Sequence, residues 1–316
     1  LESGVKPVFV FDGKPPTLKG GQLAKRKERQ QAAEAELVKL QQEGGSAEDI
    51  ERQQKRTVRA SREQSEEVKK LLTLMGVPVV DAPCEAEATC AALAKAGHVF
   101  ATGTEDMDAL TFGTPVLLRH LSESKKEKPI YQFDIKKVLE GLQLTMAQFI
   151  DVCILCGCDY VDSPKGVGPQ SALKLVREHG DMEGVIAHLK AKGTALPEPF
   201  PYEEARALFL TPEVVDVAEV ALKWTEPDVD GLRKYLIEEK QFAEERVKNG
   251  ISRLQKCKGK ASQGRLESFF GQSTSSCSEK ALKRKAEEAK GKGKAAAKGG
   301  KGGKGLSSNG AKKAKK

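Results

Sequence analysis

Short apolar runs separated by polar, helix-forming stretches make up the first part of the chain. Pro7–Phe11 and Val77–Val80 are continuous apolar runs, which is typical of buried parallel strands. The Ala-rich stretch Glu85–Ala96 predicts a helix after the second strand. Further strands are expected at His98–Thr102 and Val116–Leu118. Strands that alternate with helices indicate an α/β fold with a mostly parallel sheet.

A long polar stretch from residue 18 to residue 74 interrupts this pattern. It is rich in charged residues, Gln and Ala, and Gly44-Gly45 divides it into two helical halves. A pair of polar helices buries little apolar surface, so we expect it to protrude from the core.

Helical patterns dominate after about residue 135. Helices are predicted at Ile135–Glu140, Met146–Leu155, Ser171–His179 and Glu183–Lys190, and a last one near Leu232–Leu254. Residues 195–232 are Pro-rich and acidic, and they predict loops with short helices. Apolar residues are few from Cys257 onward, and residues 280–316 form a Gly/Lys/Ala low-complexity segment that we expect to be disordered.

The positive charge of the chain is concentrated in this last segment. The 316 residues have a formal net charge of +8, yet residues 280–316 alone hold 14 basic and two acidic residues. The first 279 residues hold 39 basic and 43 acidic side chains, so the body is slightly acidic. This distribution excludes a histone-like protein that coats nucleic acid with its whole surface.

The apolar runs and the cysteines further restrict the class of protein and its compartment. No stretch approaches the roughly 20 apolar residues of a membrane span, so no membrane partner is expected. The seven cysteines are odd in number and scattered, which indicates a reducing compartment. Cys153, Cys156 and Cys158 form a C-x-x-C-x-C pattern that can indicate zinc. They lie in an apolar helical stretch with no second C-x-x-C, so we interpret them as core residues.

Six carboxylates lie near the ends of predicted strands and helices. They are Asp12 after the first strand, Glu85 and Glu87 after the second, Asp106 and Asp108 after the third, and Asp159 after an apolar helix. Ligands of open α/β sheets bind at the carboxyl ends of the strands, so these acids should converge. Repulsion makes such a cluster costly unless cations fill it, and oxygen ligands suit Mg²⁺ or Mn²⁺. Two ions would suit phosphodiester hydrolysis. The alternative is that each carboxylate is a helix cap or a surface charge.

Four segments carry a specific resemblance to a known family. VFVFDGKPP, DAPCEAEATCAAL, ATGTEDMDALTFG and CGCDYVDSPKGVGPQSA resemble, in this order, the motifs of eukaryotic flap endonucleases of the XPG structure-specific nuclease family. The resemblance covers residues 1 to about 270. It implies a PIN-like twisted, mostly parallel sheet flanked by helices, with a protruding helical arch, a helix–two-turn–helix subdomain and a disordered basic tail.

The resemblance also implies a division of the chain into domains. The nuclease core would occupy residues 1–134, with the arch at about 18–74 and an internal acidic region at about 77–134. A DNA-binding helix–two-turn–helix subdomain would follow at 135–256, a linker at 257–279 and the tail at 280–316.

Individual residues acquire roles through the same resemblance. It implies that the six carboxylates bind two Mg²⁺ ions per chain, with Mn²⁺ as a substitute. Lys19 and Arg26 would hold the scissile phosphate, and their spacing of seven residues places them on one helix face. DNA contacts are implied for Glu85, Gly157, Asp159, the arch residues Lys55, Arg56, Arg59 and Arg62, and the loop residues Lys165, Gly166, Gly168 and Lys174. A monovalent cation is expected at that loop. A salt-bridged hairpin and a common tight turn would explain the arch and loop compositions nearly as well.

Residues 263–270 fit the Q-x-x-L-x-x-F-F pattern of peptides that bind the sliding clamp PCNA. The pattern consists of Gln263, Leu266, Phe269 and Phe270. Its apolar side chains have no core to join in a polar stretch, which is typical of a docking peptide. We expect a monomer, with up to three chains on one clamp trimer.

Two basic clusters in the tail indicate nuclear import. They are residues 283–285 and 312–316. The nucleus, with nucleoplasm and nucleolus, is the expected location, and the mitochondrion is a second one. A tail that only improves solubility is the alternative.

Together these features predict a 5′-flap endonuclease and 5′–3′ exonuclease that uses two metal ions. Its substrate would be branched DNA with a 5′ flap, in Okazaki-fragment maturation and long-patch base excision repair. The chain starts at Leu1 without the family's first strand and that strand's metal-ligand Asp, so we expect an N-terminal part to be missing. A catalytically impaired fragment that binds DNA and the clamp is therefore the alternative. A related XPG-type exonuclease or junction resolvase is less favoured because of the clamp motif.

Overall fold

Small sheets and many helices make up the described part of the chain in the computed structural model, which covers residues 1–58, 60–121 and 129–258. The described residues belong to one compact unit. The clamp motif, the tail and Arg59 lie outside the described residues. The boundary expected near residue 134 stays a prediction.

The described strands form two separate sheets. They are β1 (Phe9–Phe11), β2 (Val79–Asp81), β3 (Thr102–Gly103), β4 (Val116–Arg119) and β5 (Tyr131–Asp134). β1 pairs with β2 in parallel, β3 pairs with β4 in parallel, and β5 runs antiparallel to β4. The α/β class and the mostly parallel pairing are thus confirmed, but the pairing is divided between two sheets among the described residues.

Two strand predictions need correction. The strand expected at His98–Thr102 begins only at Thr102, because the chain before it ends the preceding helix. Gly97 has a φ of +78°, and the His98 N–H donates to the Leu93 carbonyl oxygen. β5 was not predicted, since its half-exposed Tyr-Gln-Phe-Asp sequence lacks a continuous apolar run.

Three helices, rather than the two expected halves, occupy the polar stretch. They are α1 (Gly20–Gln42), which a single 3₁₀ turn at Thr17–Lys19 precedes, α2 (Ala47–Thr57) and α3 (Arg62–Leu74). Gly44, with a φ of +73°, allows the reversal between α1 and α2. Ser61 caps the N-terminus of α3 by accepting a hydrogen bond from the Gln64 N–H, so α2 does not continue into α3. Only Ala33 and Gln53 are buried in α1 and α2, as a polar hairpin requires.

The remaining helices form most of the core. They are α4 (Ala86–Lys95), α5 (Asp108–Thr111), α6 (Ile135–Leu142), α7 (Met146–Cys156), α8 (Pro169–His179), α9 (Met182–Ala191), α10 (Tyr202–Leu210), α11 (Val229–Arg233) and α12 (Glu244–Lys258). The largest apolar cluster joins α4 and the end of α5 to α7–α10, through residues such as Ala88, Phe112, Ile154, Val176 and Phe209. The helices predicted after residue 135 are therefore confirmed, with small shifts of their ends.

The single last helix predicted at Leu232–Leu254 is wrong. The chain forms α11, a π-helical turn at Lys234–Glu239, and then α12. Gln241, with a φ of +56°, breaks the helical path between them. This break lets Leu232, Val247 and Ile251 pack in one cluster against the end of α3.

A buried ion pair connects two of the core helices. Asp151 in α7 is 3% exposed, and Arg206 in α10 donates to it from Nε at 2.8 Å and from Nη2 at 3.0 Å. Such a bidentate pair fixes the two helices geometrically as well as electrostatically.

Among the described residues, no single helix has the length and apolarity needed to cross a membrane, and only the pair α6 and α7, bent by 80°, has them jointly.

A close backbone contact positions the turns that follow β1 and β2. The Gly13 N–H donates to the Cys84 carbonyl oxygen at 2.7 Å, and the Lys14 N–H donates to the Pro83 carbonyl oxygen at 3.1 Å. A Cβ atom on Gly13 would overlap the carbonyl oxygens of Ala82 and Pro83. Glycine is therefore required where the two turns meet.

Replacing Gly13 with alanine tests this contact. We expect Gly13→Ala to lower the free energy of unfolding by about 2–3 kcal/mol, because one of two hydrogen-bonded backbones must move. Gly21→Ala is the matched control, since Gly21 lies in α1 with open space around it, and we expect a change between zero and a gain of about 1 kcal/mol. Urea unfolding measures both variants, and equal stabilities would contradict the close-contact argument.

Candidate metal centre and nucleic-acid interface

The turn after β1 brings Asp12 to the start of α4. The N–H of Ala86, the first residue of α4, donates to Asp12 Oδ1 at 2.8 Å. Glu85 precedes this helix and Glu87 lies in its first turn. Negative charge is favourable at a helix N-terminus, so this position suits all three carboxylates.

A local hydrogen-bonded turn presents the two acids that follow β3. The Asp106 N–H donates to Thr104 Oγ1 at 3.1 Å, and the Asp108 N–H donates to Asp106 Oδ1 at 2.9 Å. Thr104 Oγ1 also lies 3.4 Å from Glu87 Oε1 and can donate to it. The turn thereby connects this pair of acids to the pair at α4.

Asp159 reaches the same place from the end of α7. Gly157 ends that helix with a φ of +89°, a conformation that favours glycine. The chain after it lines an open pocket of about 370 Å³, together with Asp106, Asp108 and Asp162. We call this space the carboxylate pocket. It joins acids from segments that are about 50 residues apart.

Lys19 and Arg26 supply positive charge to this centre. Lys19 Nζ lies 2.6 Å from Glu85 Oε1 and 3.2 Å from Asp159 Oδ2. Arg26 Nη2 donates to both Asp159 oxygens at 2.8 Å. Both side chains contact Asp159, although Lys19 lies in the 3₁₀ turn before α1 and Arg26 lies in α1 itself, so the single helix expected to carry both does not form. Their catalytic role stays a prediction.

The electrostatics show that the predicted acids converge. Burial, followed by the negative charges of Asp106, Asp159 and Glu85, raises the pKa of Asp108 to about 7. Burial and the charges of Asp12, Asp106 and Glu85 also raise the pKa of Glu87. Each of the six carboxylates therefore acts on at least one other.

Lys19 is held in its charged form despite its position. Burial alone would lower its pKa, but hydrogen bonds and charge attraction from Glu85 and Asp159 outweigh burial and raise the pKa. The ammonium group thus offsets part of the repulsion between the acids.

The donor set fits hard divalent cations, although the side chains are not arranged around one. Among the described residues, no group of three or more His, Cys, Asp or Glu side chains is arranged so that it could hold a metal ion. Carboxylate oxygens of Glu85 and Asp159 form ion pairs with Lys19 and Arg26. Oxygen donors crowded enough to raise a carboxyl pKa to about 7 are chemically suited to Mg²⁺, which prefers carboxylate ligands.

The other predicted DNA contacts lie on the surface, separate from these ion pairs. Lys55 pairs with Glu51 at 2.6 Å, Arg56 donates to Gln53 Oε1 at 3.3 Å, and Lys174 lies 3.6 Å from Glu178.

In the loop between α7 and α8, Gly166 has a φ of +81° with open space around it, as a close phosphate approach would need. The Lys165 N–H of that loop donates to the Ala195 carbonyl oxygen at 3.4 Å. Their DNA contacts stay predictions.

Some residues of the centre were not singled out from the sequence. Lys25 contacts Asp162 at 2.6 Å, and Gln22 Nε2 donates to the same carboxylate at 3.1 Å. Burial, together with the nearby charge of Glu85, raises the pKa of Tyr160. The only signal for them was proximity in sequence to Arg26 and Asp159.

The cysteines match the core interpretation. Burial raises the pKa of Cys153 to about 12, and burial also raises those of Cys156 and Cys158. Protonated thiols are poor zinc ligands, so the C-x-x-C-x-C pattern gains no support as a zinc site.

Comparisons with known proteins identify close relatives of this sequence. A family model described as the XPG I-region matches residues 76–159, and one described as the XPG N-terminal domain matches residues 1–33. Flap endonuclease 1 of Micromonas commoda is 52% identical over 307 residues, covering 97% of this chain and 79% of the relative. Flap endonuclease 1 of Danio rerio is 52% identical over 295 residues, covering 93% and 76%.

Solved structures agree with the fold. Flap endonuclease-1 from Methanococcus jannaschii superposes with a TM-score of 0.59 at 30% identity, over 80% of this chain and 76% of the other. The catalytic core of Rad2 in complex with a DNA substrate gives 0.61 at 26% identity, over 79% of each chain.

Removing one acid tests the electrostatic account of the centre. We expect Asp108→Asn to raise the free energy of unfolding without divalent cations by about 1 kcal/mol, because a partly buried, repelled charge is lost. The same variant should show a smaller rise in melting temperature on addition of Mg²⁺. Thermal unfolding with and without millimolar MgCl₂ measures both effects, because a bound ion stabilises the folded state.

Asp162→Asn is the matched control for this measurement. Asp162 lines the same pocket but pairs with the exposed Lys25, outside the repelling group. We expect it to leave stability nearly unchanged and to keep the full response to Mg²⁺. A metal-free Asp108→Asn protein that is less stable than the parent would contradict the repulsion argument.

Proposed function

This chain belongs to the flap endonuclease 1 family of structure-specific nucleases, and we propose that its carboxylate centre cleaves DNA where an unpaired 5′ strand leaves the duplex. The chain is a DNA-cleaving hydrolase of the flap endonuclease class. The proposal includes 5′–3′ exonuclease activity at nicks and gaps, in Okazaki-fragment maturation and long-patch base excision repair.

The observation that carries this proposal is that acidic and basic side chains meet at one place. Burial and carboxylates from four separate segments raise the pKa values of Glu87 and Asp108, and Lys19 and Arg26, at and just after the start of α1, pair with Glu85 and Asp159. An acidic centre with cations at its edge suits phosphodiester hydrolysis, where negative charge develops on the phosphoryl oxygens.

We infer that two Mg²⁺ ions, or Mn²⁺ in their place, bind at this centre. The residues that would hold them are Asp12, Glu85, Glu87, Asp106, Asp108 and Asp159. When bound, such ions supply an activated water and charge neutralisation at the attacking and leaving oxygens.

The basic side chains of Lys19 and Arg26 would bind the phosphate. Lys19 stays charged because its pKa is raised, so it can donate hydrogen bonds to a phosphoryl oxygen without a change of protonation. Arg26 already donates from Nη2 to both oxygens of Asp159, and its guanidinium group, with five N–H donors, could bind phosphate oxygens in the same place. Both would orient the scissile group and stabilise its developing charge.

The rest of the DNA would lie on the surfaces beside the centre. The hairpin of α1 and α2, with Lys55 and Arg56, would guide the single-stranded flap. The loop of Gly166 and Gly168 would bind a phosphate of the duplex, with a monovalent cation beside it. The affinity for DNA would then fall as the salt concentration rises, because these contacts are made to phosphates.

A cleavage assay with a labelled double-flap DNA and Mg²⁺ tests the proposed function. We expect incision at the junction that leaves a 5′ phosphate and a 3′ hydroxyl. Asp106→Ala should lower the rate by 100-fold or more while DNA affinity is largely kept, because its carboxylate acts on the cation-dependent step. Asp162→Asn, in the same pocket, should retain most activity.

Two outcomes would contradict parts of the proposal. DNA binding without any incision by the parent chain would leave only the binding function, as expected for an impaired fragment. Incision that Asp106→Ala does not reduce would place the reaction elsewhere on the chain.

We also propose that residues 263–270 dock on the PCNA clamp, although they lie outside the described residues. The pattern of Gln263, Leu266, Phe269 and Phe270 supports the proposal, with up to three monomeric chains on one clamp trimer. Basic clusters in the tail would direct the chain to the nucleus, and the mitochondrion is a second proposed location.

A peptide of residues 260–273 tests the clamp proposal by fluorescence anisotropy. We expect binding to PCNA that falls at least tenfold when Phe269 and Phe270 are both replaced by alanine, because the aromatic pair supplies most of the buried apolar area. Ser268→Ala in the same peptide is the control and should bind like the parent. Equal binding by the double variant would refute the docking motif.

A further inference from the structure

A second cavity borders the carboxylate centre without belonging to it. It has a volume of about 370 Å³ and includes Glu85, but it shares no residue with the lining of the carboxylate pocket. Its walls are formed by Pro15, Pro16, Pro83, Phe112, Tyr160 and Leu208. We call it the proline cavity.

The floor of the proline cavity is rigid and apolar. Phe112 is 2% exposed and Tyr160 is 6% exposed. Both rings pack on Phe209, with ring centroids 5.2 Å and 5.1 Å apart. A floor fixed in this way keeps its shape when a ligand enters.

The rim of the proline cavity is polar. It carries Lys14 and Thr17 on one turn and Glu213 beyond α10. Flat apolar walls with a few polar groups at the edge are characteristic of sites for small ring systems, and the volume fits one. An aliphatic chain would not need the acceptors that Glu85 and Glu213 provide.

The proline cavity lies beside the place where the proposed function puts the reacting phosphate. Tyr160 follows Asp159 directly, and Lys19 Nζ joins Glu85 to Asp159 at 2.6 Å and 3.2 Å. The turn that carries Lys14 and Thr17 lies between Asp12 and Lys19 in sequence. A nucleotide whose phosphate meets Lys19 therefore has its sugar and base next to this cavity.

We propose that the proline cavity binds one unpaired nucleobase of the DNA strand whose phosphate lies at the carboxylate centre. This inference rests on the proposed function, because it takes a DNA strand at that centre as its premise. The base would stack against the proline and aromatic walls. Its exocyclic amino or ring N–H groups would face Glu85 and Glu213, and Lys14 would meet the adjacent phosphate.

Stacking determines how selective the proline cavity is. Every base has an apolar face, so stacking tolerates all four bases, whereas an abasic sugar loses the contact. The cavity would thus select an unpaired nucleotide at the junction rather than a sequence. A paired base would be excluded because its partner strand cannot enter with it.

The test measures binding of this chain to a labelled 5′-flap DNA by fluorescence anisotropy, with Ca²⁺ as the divalent ion. A panel of DNAs carries one abasic site at each nucleotide around the junction. We expect one position at which the abasic DNA binds about 5- to 20-fold more weakly. Leu208→Trp, which fills the cavity, should weaken binding of intact DNA similarly and should remove the difference between intact and abasic DNA.

Two further variants make the result independent of a folding defect. Thr17→Trp blocks the cavity from an exposed rim position and should reproduce the effect of Leu208→Trp. Leu210→Trp adds the same side chain to the same helix at a site that is 49% exposed and outside the cavity. It should behave like the parent chain.

Alkylation of Cys84, which lines the proline cavity, reports occupancy without any variant. We expect intact flap DNA at saturation to slow its reaction with a maleimide more than the abasic DNA does, as read by peptide mass spectrometry. Equal protection, together with no abasic position that weakens binding, would refute the base site while leaving flap binding intact. A parent chain that does not bind flap DNA would refute both the base site and the proposed function.

Discussion

Repulsion between crowded carboxylates is the constraint that shapes this molecule. Burial first, and then the charges of Asp106, Asp159 and Glu85, raise the pKa of Asp108 to about 7, so the fold holds this carboxyl group away from water and next to other acids. Lys19 and Arg26 neutralise part of that charge from the start of α1. The helix that begins the polar hairpin is therefore tied to the chemical centre. Under the proposed function, cations that bind the acids would release Lys19 and Arg26 from these ion pairs, and both side chains could then bind a phosphate.

Close backbone packing is what brings the acids together. Gly13 lets the turns after β1 and β2 meet, and that contact places Asp12 against the start of α4. Gly157 turns the chain out of α7 so that Asp159 reaches Lys19. Both positions need glycine for a different reason, the first for lack of space and the second for its positive φ of +89°. The same turns form the walls of the proline cavity, so the geometry of the acids and that of the cavity depend on each other.

The sequence predicted the centre better than its surroundings. Apolar runs show where strands end, and the carboxyl ends of such strands meet, so the convergence of Asp12, Glu85, Glu87, Asp106 and Asp108 could be expected. Asp159 joins them from the end of α7, and the metal-binding role of all six stays a prediction. β5 and the break before α12 were missed because they depend on edge position and on packing against α3, which leave no periodic signal. Ion pairs such as Lys25 with Asp162 join residues 137 apart, and only the folded chain determines them. The basic pair was selected by family resemblance, and the structure supplies the physical reason: both side chains meet one carboxylate.

The charge distribution explains how an acidic body can bind a polyanion. The first 279 residues carry 43 acidic against 39 basic side chains, but six of the acids lie together where cations are expected, and Lys14, Lys19 and Arg26 border that same centre. The repulsion between DNA and the acids then acts only at short range, because exposed charges more than about 8 Å apart are largely screened at physiological salt. A divalent ion placed between a phosphate and the acids would turn the repulsion into attraction. DNA binding at the centre should therefore depend on divalent cations, whereas binding through surface lysines depends on ionic strength alone.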